Sequence, residues 1–376
     1  MKRVESIDVV VVGRGPASYA AALGARSRGL HVTIIGVEDQ IPHWGETLPA
    51  TCLPLLSRLG LADELRNPAH LESHGHLSMW GDDRPHERVG LSNAYGPSVI
   101  LDGPRFLRRL EDTFRAGGGH VIDRRSSDIR RTRDGFALIL DGTPAEHCLQ
   151  ARALVDATGA AARVSRRLGA TRSLWARQVA FGACYEARAP DVELPAVTLL
   201  EAVEHGWLYA APLPNHRRAV IWWVTDRNLF PPEATPPATR VMAQVRQSIE
   251  MSSWTREWHL QETEPGFARN ASVGGLDHAT GEGWVAVGDA ALTLDPLSSS
   301  GIALALLSGL HGGTALAASL TGEPAALTSY VQMLAQAQQH HLAQRTGFHR
   351  IEARWPDSQF WKRRATAPTN DPAVRQ

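Results

Sequence analysis

The chain has 376 residues, a formal net charge of +0 and 43% apolar residues. A chain of this length forms two domains or one domain with an insertion, and its apolar content is enough for a full core. The balanced charge gives no electrostatic basis for binding nucleic acid or an anionic membrane, so we predict neither partner. The three cysteines, Cys52, Cys148 and Cys184, form no C-x-x-C pair. That pattern favours a reducing compartment, and we predict a cytoplasmic location.

The N-terminal residues predict a dinucleotide-binding turn. Residues 7–12 form a first strand rather than a signal peptide, because the run contains Asp8 and enters glycines directly. A helix over residues 17–28 and a strand over residues 30–35 complete a βαβ unit. The turn reads G-x-G-x-x-S, in which the helix N-terminus points backbone N–H groups at a pyrophosphate. We therefore predict cofactor contacts from Gly13, Gly15, Pro16, Ala17 and Ser18.

The carboxylate that usually follows the second strand of such a unit is missing. It normally binds the ribose hydroxyls of the dinucleotide. Gly36 occupies the position directly after residues 30–35. Glu38 or Asp39 could take over the contact, and we assign Glu38 to the cofactor site. The alternative for the whole motif is an ordinary strand–turn–helix without a ligand.

The middle of the chain continues the same α/β pattern and then changes. We predict a helix over residues 105–116, a strand over 120–123, hairpin strands over 135–140 and 146–150, and a buried strand over 154–156. From residue 175 to 268 the pattern is mostly β, with strands over 179–187, 196–203, 207–211 and 219–224 and a helix over 241–251. Trp222 and Trp223 must lie on opposite faces of one strand, so at most one faces a site.

A second strand–turn–helix unit lies far downstream. Residues 284–287 are an apolar strand that runs into Gly288 and Asp289, followed by a small-residue loop. A helix over residues 302–320 follows, then a helix over 325–344. The first of these is apolar enough to resemble a membrane span, but its glycines and the loop before it favour a buried helix. Two such turns at opposite ends of the sequence predict one cofactor held by both.

These elements predict an α/β fold with a Rossmann-like cofactor domain and an inserted β-sheet substrate domain. We divide the chain into residues 1–174 and 269–345 for the cofactor domain, 175–268 for the substrate domain and 346–376 for a C-terminal arm. The tail after Arg364 is expected to be loose.

Histidines supply two further candidates. His70, His74 and His76 are spaced closely enough to suggest a metal site, but Pro68 and Gly75 make a solvated loop the better interpretation, so we predict no metal. His43 directly precedes the Gly45-Glu46 segment and could face a cofactor cavity, or it could be a packed loop residue.

With these motifs, the chain resembles FAD-dependent aromatic hydroxylases and flavin-dependent halogenases. The resemblance is carried by the glycine turn, Gly45-Glu46-Thr47-Leu48-Pro49, residues 101–106, residues 156–159 and the stretch from Gly288 to Gly301. It implies a glutathione-reductase type of cofactor domain that binds FAD. It also implies that Asp289 holds the ribityl chain, that Glu46, Thr47 and Leu48 edge the flavin cavity, and that Arg105 lies near the cofactor. The implied isoalloxazine-lining residues are Pro296, Ser299, Ser300, Gly301 and Ile302.

Three departures from the halogenase pattern argue against halogenation. Tryptophan halogenases carry a lysine that relays hypochlorous acid, whereas this chain has no lysine between Lys2 and Lys362. Their flavin loop contains a glutamate where Ser298 stands here. Their Trp-x-Trp-x-Ile-Pro box corresponds to residues 207–212, which keep only Trp207 and Pro212.

The remaining resemblance is to flavoproteins that mature tryptophylquinone cofactors of amine dehydrogenases and oxidases. It implies an FAD monooxygenase that hydroxylates an aromatic ring through a flavin C4a-hydroperoxide, the ring being a tryptophan of a partner protein or peptide. His43 is the candidate general base. Electrons would come from a separate flavin reductase or from NAD(P)H. The alternatives are a flavin-dependent halogenase, a small-molecule aromatic hydroxylase of secondary metabolism, and a non-catalytic FAD-binding maturation chaperone.

Overall fold

A computed structural model describes residues 7–37, 45–89, 95–142, 148–189, 191–229 and 235–365. The α-helices of these residues are α1 (Pro16–Arg26), α2 (Leu53–Arg58), α3 (Gly103–Ala116), α4 (Arg163–Arg167), α5 (Pro237–Val245), α6 (Glu250–Glu257), α7 (Gly301–Leu320), α8 (Ala325–Ile351) and α9 (Gln359–Ala365).

The strands within the same ranges are β1 (Ile7–Val12), β2 (Val32–Ile35), β3 (Thr47–Leu48), β4 (Leu71–Glu72), β5 (Gly75–Met79), β6 (His86–Val89), β7 (Val99–Ile100), β8 (His120–Ile122), β9 (Ser126–Thr132), β10 (Gly135–Leu140), β11 (Leu149–Asp156), β12 (Arg172–Ala176), β13 (Gln178–Ala187), β14 (Val197–Val203), β15 (Gly206–Pro212), β16 (Arg218–Asp226), β17 (Leu260–Glu262), β18 (Phe267–Asn270), β19 (Val273–Leu276), β20 (Thr280–Gly281), β21 (Trp284–Ala286) and β22 (Leu292–Thr293). The predicted α/β fold class is confirmed.

The first large sheet has the strand order β20-β21-β11-β1-β2-β8, and β9 and β10 extend it through β11. Strands β21, β11, β1, β2 and β8 run parallel. Valines dominate β1, and Val9, Val10 and Val11 are fully buried, as is typical of a central strand in a parallel sheet whose two faces are covered. Val12 pairs with Asp156 on one side and Ile35 on the other, so the carboxyl ends of these strands share one edge. Ligands of such sheets bind outside that edge.

Helix α7 packs against α1 at a distance that requires glycine. A Cβ on Gly309 would lie 2.6 Å from the Ala17 carbonyl oxygen, and a Cβ on Gly313 would lie 2.0 Å from the Ala21 carbonyl oxygen. By length and composition α7 could cross a membrane, but 61% of its most apolar window is buried within the protein. The prediction of a buried helix over residues 302–320 is confirmed.

The second large sheet has the order β17-β13-β16-β15-β14-β5-β6, with β18 beside β13. One face packs against α5 and α6, and its side chains include Leu208 and Trp223. The opposite face carries Tyr209 and Trp222 and packs against α9 and Leu297. The prediction that Trp222 and Trp223 occupy opposite faces is confirmed.

Two strands of the second sheet come from outside the predicted insert. Strand β5 pairs in parallel with β14, and β6 pairs with β5, so residues 75–89 join a sheet otherwise built from residues 178–270. The division of the chain into 1–174, 175–268, 269–345 and 346–376 stays a prediction.

The boundaries of two predicted strands are wrong, because one continuous strand pairs with different neighbours along its length. We expected separate strands over 146–150 and 154–156, whereas β11 is continuous from Leu149 to Asp156. Its first half pairs with β10, and its second half pairs with β1 and β21. The hydrophobic pattern changes along the strand because its neighbours change, and that change resembles a break in the sequence.

The predicted helix over residues 241–251 is two helices, α5 and α6. The chain between them turns at Ser248, whose hydroxyl donates to the Val245 carbonyl. The N-terminus of α6 is stabilised by Glu201 of β14, whose carboxylate accepts from the backbone N–H groups of Ile249 and Met251 at 2.6 and 2.7 Å. A cap supplied from another strand leaves no local signature, so the sequence pattern could not show this break.

The C-terminal residues pack onto the second sheet. Helix α8 extends to Ile351, past its predicted end at residue 344. In α9, the Trp361 Nε1 donates to the Val203 carbonyl at 3.0 Å, and Arg364 pairs with Asp226 at 2.6 Å. The buried Arg364–Asp226 pair therefore fixes α9 against β16. The tail predicted to be loose begins with α9's last residue and otherwise lies outside the described residues.

Candidate functional site

The first glycine turn has the geometry of a diphosphate site. Gly13 has a φ of +125°, and a Cβ there would lie 2.1 Å from the Ala157 carbonyl oxygen, so only glycine fits. Pro16 begins α1, and the Gly15 N–H donates to the Ser18 hydroxyl at 3.2 Å. A Cβ on Gly15 would meet nothing within 4 Å. The turn therefore leaves an open approach to the N-terminus of α1, where backbone N–H groups favour an anion.

The second turn meets the first one in space. Gly288 has a φ of +57°, and a Cβ there would lie 2.7 Å from the Ala17 Cβ. The Gly288 N–H donates to the Ser308 hydroxyl of α7 at 2.8 Å. The expectation that the two turns form one site is therefore supported by direct packing between them.

Asp289 lies in the short 3-10 turn that follows β21 at the sheet edge, and it is exposed. The surrounding protein reduces its hydration and raises the pKa of its carboxyl, while the nearby Arg172 guanidinium opposes that shift. Arg172 donates to the Asp289 carbonyl at 3.0 Å and to the Thr293 hydroxyl at 2.8 Å, which fixes the backbone of the turn. An accessible carboxylate on a fixed backbone suits acceptance of ribityl hydroxyls. The sequence analysis did not identify Arg172.

The loop after Asp289 is held by a buried carboxylate that sequence reasoning also missed. Asp295 is 1% exposed, and its carboxylate accepts from the Arg345 Nε at 2.8 Å and from the Leu297 N–H at 3.2 Å. Its own N–H donates to the His341 Nε2 at 2.8 Å. Burial alone would raise the pKa of Asp295, but Arg345 and other cations near it hold that pKa below its usual range. Helix α8 therefore fixes the start of the loop.

The predicted flavin-lining residues follow directly from this anchor. A short 3-10 turn spans Pro296–Ser298, and the next residue, Ser299, has a φ of +47°. The Ser300 hydroxyl donates to the Ser298 carbonyl at 2.9 Å, and Gly301 and Ile302 begin α7. A Cβ on Gly301 would meet nothing within 4 Å, so the N-terminus of α7 is also open. Such a helix start can stabilise negative charge on a reduced flavin.

The Gly45-Glu46-Thr47 segment faces Tyr209 of the second sheet. The Tyr209 hydroxyl donates to the Gly45 carbonyl at 3.0 Å and lies 3.4 Å from the Thr47 hydroxyl. Burial raises the pKa of Glu46 to about 7, and no described side chain forms a hydrogen bond or ion pair with that carboxyl. Burial is the main cause that raises the pKa of Tyr209 to about 12, and the nearby Glu46 adds to it. Leu48 is fully buried in the core, and its place at the edge of the flavin cavity stays a prediction.

Arg105 lies at the start of α3 with an exposed side chain, and its N–H donates to the capping Asp102 carboxylate at 3.0 Å. The structure shows no contact that assigns this side chain a function, so its proximity to the cofactor stays a prediction. Glu38 and His43 lie outside the described residues, and their roles also stay predictions.

The prediction of a solvated loop around the three histidines is wrong for His70, whereas His74 is exposed as predicted. His70 is 8% exposed, its Nε2 lies 3.0 Å from the Glu64 carboxylate, and its Nδ1 accepts from the Asp102 N–H at 3.1 Å. His76 lies in β5 and bonds to the Thr198 hydroxyl. His70 therefore supports the N-terminus of α3. Within the described ranges, no group of three or more ligating side chains could hold a metal ion.

A parallel sheet with two glycine turns at one edge, Asp289 beside them and an open helix start at Gly301 defines a flavin-binding enzyme. The chain belongs to the tryptophan halogenase family, whose model matches residues 83–375. It is therefore an FAD-dependent enzyme, and the turns, the carboxylate and the loop fit that cofactor.

Individual relatives cover most of the chain. This chain is 26% identical over 367 residues to the putative FAD-dependent oxidoreductase LodB of Marinomonas mediterranea, and the match covers 96% of this chain and 97% of LodB. It is 24% identical to the 1H-pyrrole-2-carbonyl-[peptidyl-carrier protein] brominase of Pseudoalteromonas luteoviolacea, covering 86% and 80% of the two chains. The structure of the peptidyl tryptophan dihydroxylase QhpG is similar, with a TM-score of 0.79, 24% identity and coverage of 97% and 80%. The halogenase CndH has a TM-score of 0.85 at 22% identity, covering 99% and 88%.

Proposed function

We propose that this enzyme is a monooxygenase that hydroxylates an aromatic ring, namely a tryptophan of a partner protein during biogenesis of a quinone cofactor. The observation that carries the proposal is the distribution of lysine. The chain has two lysines, Lys2 and Lys362. Lys362 lies on α9, where its Nζ pairs with Asp357 at 3.1 Å and its side chain is 57% exposed. A surface lysine paired in this way is unsuited to relay an oxidised halide inside the enzyme.

The residues around the flavin loop agree with this conclusion. Ser298 stands where halogenases of this family carry a glutamate, and its hydroxyl donates to the Asp295 carbonyl at 2.9 Å. It therefore caps a backbone turn and offers no charge. Tyr209 replaces the second tryptophan of the halogenase box and binds the Gly45 carbonyl instead. Each change removes a group associated with halogenation.

The second sheet carries a cluster of aromatic side chains near the flavin loop, in which Trp222 is buried and Tyr209 is partly exposed. Tyr209 and Trp222 are paired across β15 and β16. Trp222 packs edge to face on Phe267 with ring centroids 5.0 Å apart, and Gly182 leaves room for both rings. Edge-to-face contacts of this kind also suit an indole ring. Leu297 of the flavin loop packs against the same apolar cluster, so this cluster extends towards the flavin loop.

Bound FAD supplies the electrons and the activation of O2. In the overall reaction one oxygen atom enters the ring and the other leaves as water, using two electrons and two protons. The partly exposed Tyr209 contacts and orients the ring. Glu46 is the described side chain best suited to move protons near neutral pH, because about half of its carboxyl groups are ionised at a pH equal to its pKa of about 7. It can accept the proton that the ring loses when aromaticity returns.

A protein substrate is supported by the relatives and by surface features. QhpG is described as acting on a peptidyl tryptophan and as essential for tryptophylquinone cofactor biogenesis. At the end of α8, the side chains of Phe348 and Ile351 are exposed by 47% and 57%. Exposed apolar side chains at the edge of a folded arm suit contact with another protein. We assign the docking surface to this region and to the neighbouring second sheet.

The chemistry is tested with the holoenzyme, a separate flavin reductase with NADH, O2, excess bromide and a tryptophan-containing peptide. The proposal predicts products that carry added oxygen and no bromine, detected by mass spectrometry. Omission of the reductase tests whether NADH reduces the bound FAD directly. A brominated peptide as the main product would contradict hydroxylation and support halogenation.

A further inference from the structure

The position that usually carries the ribose-binding carboxylate lies close against the first glycine turn. Gly36 directly follows β2, and a Cβ there would lie 3.1 Å from the Gly13 carbonyl carbon and 3.2 Å from the Arg14 Cβ. Both distances are tighter than ordinary Cβ contacts. A larger residue at position 36 would therefore push against the first turn and Arg14, and glycine avoids that crowding.

The neighbouring strand brings another carboxylate to the same edge. Ile35 of β2 pairs in parallel with Ile122 of β8, and the Gly36 N–H donates to the Ile122 carbonyl at 3.1 Å. Asp123 directly follows Ile122, so it stands beside Gly36 at the carboxyl end of the sheet. In sheet order, the residues after β1, β2 and β8 are Gly13, Gly36 and Asp123.

Arg14 connects these three strand ends. Its guanidinium pairs with Asp123 at 3.0 Å and with Glu111 of α3 at 2.9 Å, and it lies 3.3 Å from the Tyr19 hydroxyl. The Arg14 side chain is 9% exposed and that of Glu111 is 17% exposed, whereas that of Asp123 is 67% exposed. A nearly buried, multiply bonded arginine therefore holds an accessible carboxylate in a fixed place.

The pKa of Glu111 indicates that this anchor is charged. Burial would raise that pKa, but hydrogen bonds from Tyr19, Arg115 and Arg14 lower it below its usual range. Glu111 is therefore ionised at neutral pH and balances the charge of Arg14. The carboxylate of Asp123 is the second acid of the group and the one that solvent reaches.

We propose that Asp123 binds the adenosine ribose of FAD in place of the carboxylate that usually follows β2, and that Arg14 positions it. The ribose hydroxyls donate to a carboxylate in related dinucleotide sites, and a shift by one strand keeps that acceptor at the same edge of the sheet. This inference rests on the FAD dependence of the family and is independent of whether the enzyme hydroxylates or halogenates.

The test compares two flavins that differ at the adenosine end. FAD contains the ribose, whereas FMN ends at the ribityl phosphate. The full-length chain is stripped of flavin, and Kd for each flavin is measured by fluorescence titration. Asp123→Asn should weaken FAD binding by roughly 10- to 100-fold, as expected for the loss of a hydrogen bond to a charged group, and leave FMN binding unchanged. Asp134→Asn, an exposed charge-matched control in the turn between β9 and β10, should change neither Kd.

Two further variants separate the alternatives. Glu38→Gln tests the competing acid, which the sequence analysis assigned to this contact. Arg14→Lys keeps the charge but loses the planar group that contacts Asp123 and Glu111 together, so it should weaken FAD binding and spare FMN binding. An Asp123→Asn variant that binds FAD like the wild type, or that loses FMN equally, would overturn the proposal. A loss of FAD binding on Glu38→Gln alone would assign the ribose contact to Glu38.

Discussion

Replacing Arg345 with glutamine should destabilise the protein strongly and loosen the flavin loop. The Arg345 and Asp295 side chains are 12% and 1% exposed, and their atoms lie 2.8 Å apart. Removing one partner of a buried ion pair leaves the other charge unpaired, which costs roughly 3–5 kcal/mol in free energy of unfolding. Because the flavin loop begins at Asp295, the same change should weaken FAD binding.

A matched surface pair gives the control. Arg28 pairs with Glu323 at 3.0 Å, with side chains 39% and 60% exposed. Arg28→Gln should cost about 1 kcal/mol or less. Unfolding by urea, followed by tryptophan fluorescence and by FAD release, measures both variants. Adding Asp295→Asn to Arg345→Gln should recover part of the stability, since no unpaired charge remains.

The pH dependence of this pair has a defined sign. The folded-state pKa of Asp295 lies below the ordinary value, so its stabilisation is complete at neutral pH. It should be lost only as the pH falls below about 4, the ordinary pKa of an aspartate. Equal costs for Arg345→Gln and Arg28→Gln, or no recovery in the double variant, would refute the buried-pair reasoning.

Four further outcomes are expected. Glu46→Gln should remove an ionisation near pH 7 from the kcat/KM profile, because burial places the Glu46 pKa there; an unchanged profile would exclude Glu46 from proton transfer. Asp289→Ala should raise the Kd for FAD by roughly 10-fold or more, as measured by flavin fluorescence. Gly309→Val should lower the free energy of unfolding by roughly 1–3 kcal/mol, because even a Cβ would lie 2.6 Å from the Ala17 carbonyl oxygen. Phe348→Ser should reduce hydroxylation of a protein substrate while leaving turnover of free indole unchanged.

The sequence was sufficient for the parts of the fold that depend on local pattern. Strand, glycine turn and helix follow one another at Gly13 and at Gly288, and their spacing predicts a cofactor site that the packing of Ala17 against Gly288 supports. The opposite placement of Trp222 and Trp223 followed from strand geometry alone.

The parts that escaped prediction are contacts between distant segments. Arg345 reaches Asp295 from α8, and Arg172 reaches Asp289 from β12. Neither arginine belongs to a sequence motif. The chain has many arginines, and no periodic pattern marks these two. Glu201 caps α6 from another strand and so divides a run that looks like one helix. Such contacts become visible only when the strand order is known.

Hydroxylation of a tryptophan in a partner protein can be tested directly. The most direct measurement incubates the holoenzyme with a flavin reductase, NADH, isotope-labelled O2 and the unmodified subunit of a quinone-dependent amine dehydrogenase. Intact mass and peptide mapping of that subunit then locate the label. We expect one or two labelled oxygen atoms on a tryptophan of the subunit. An unmodified subunit, together with efficient hydroxylation of free tryptophan in the same mixture, would contradict it.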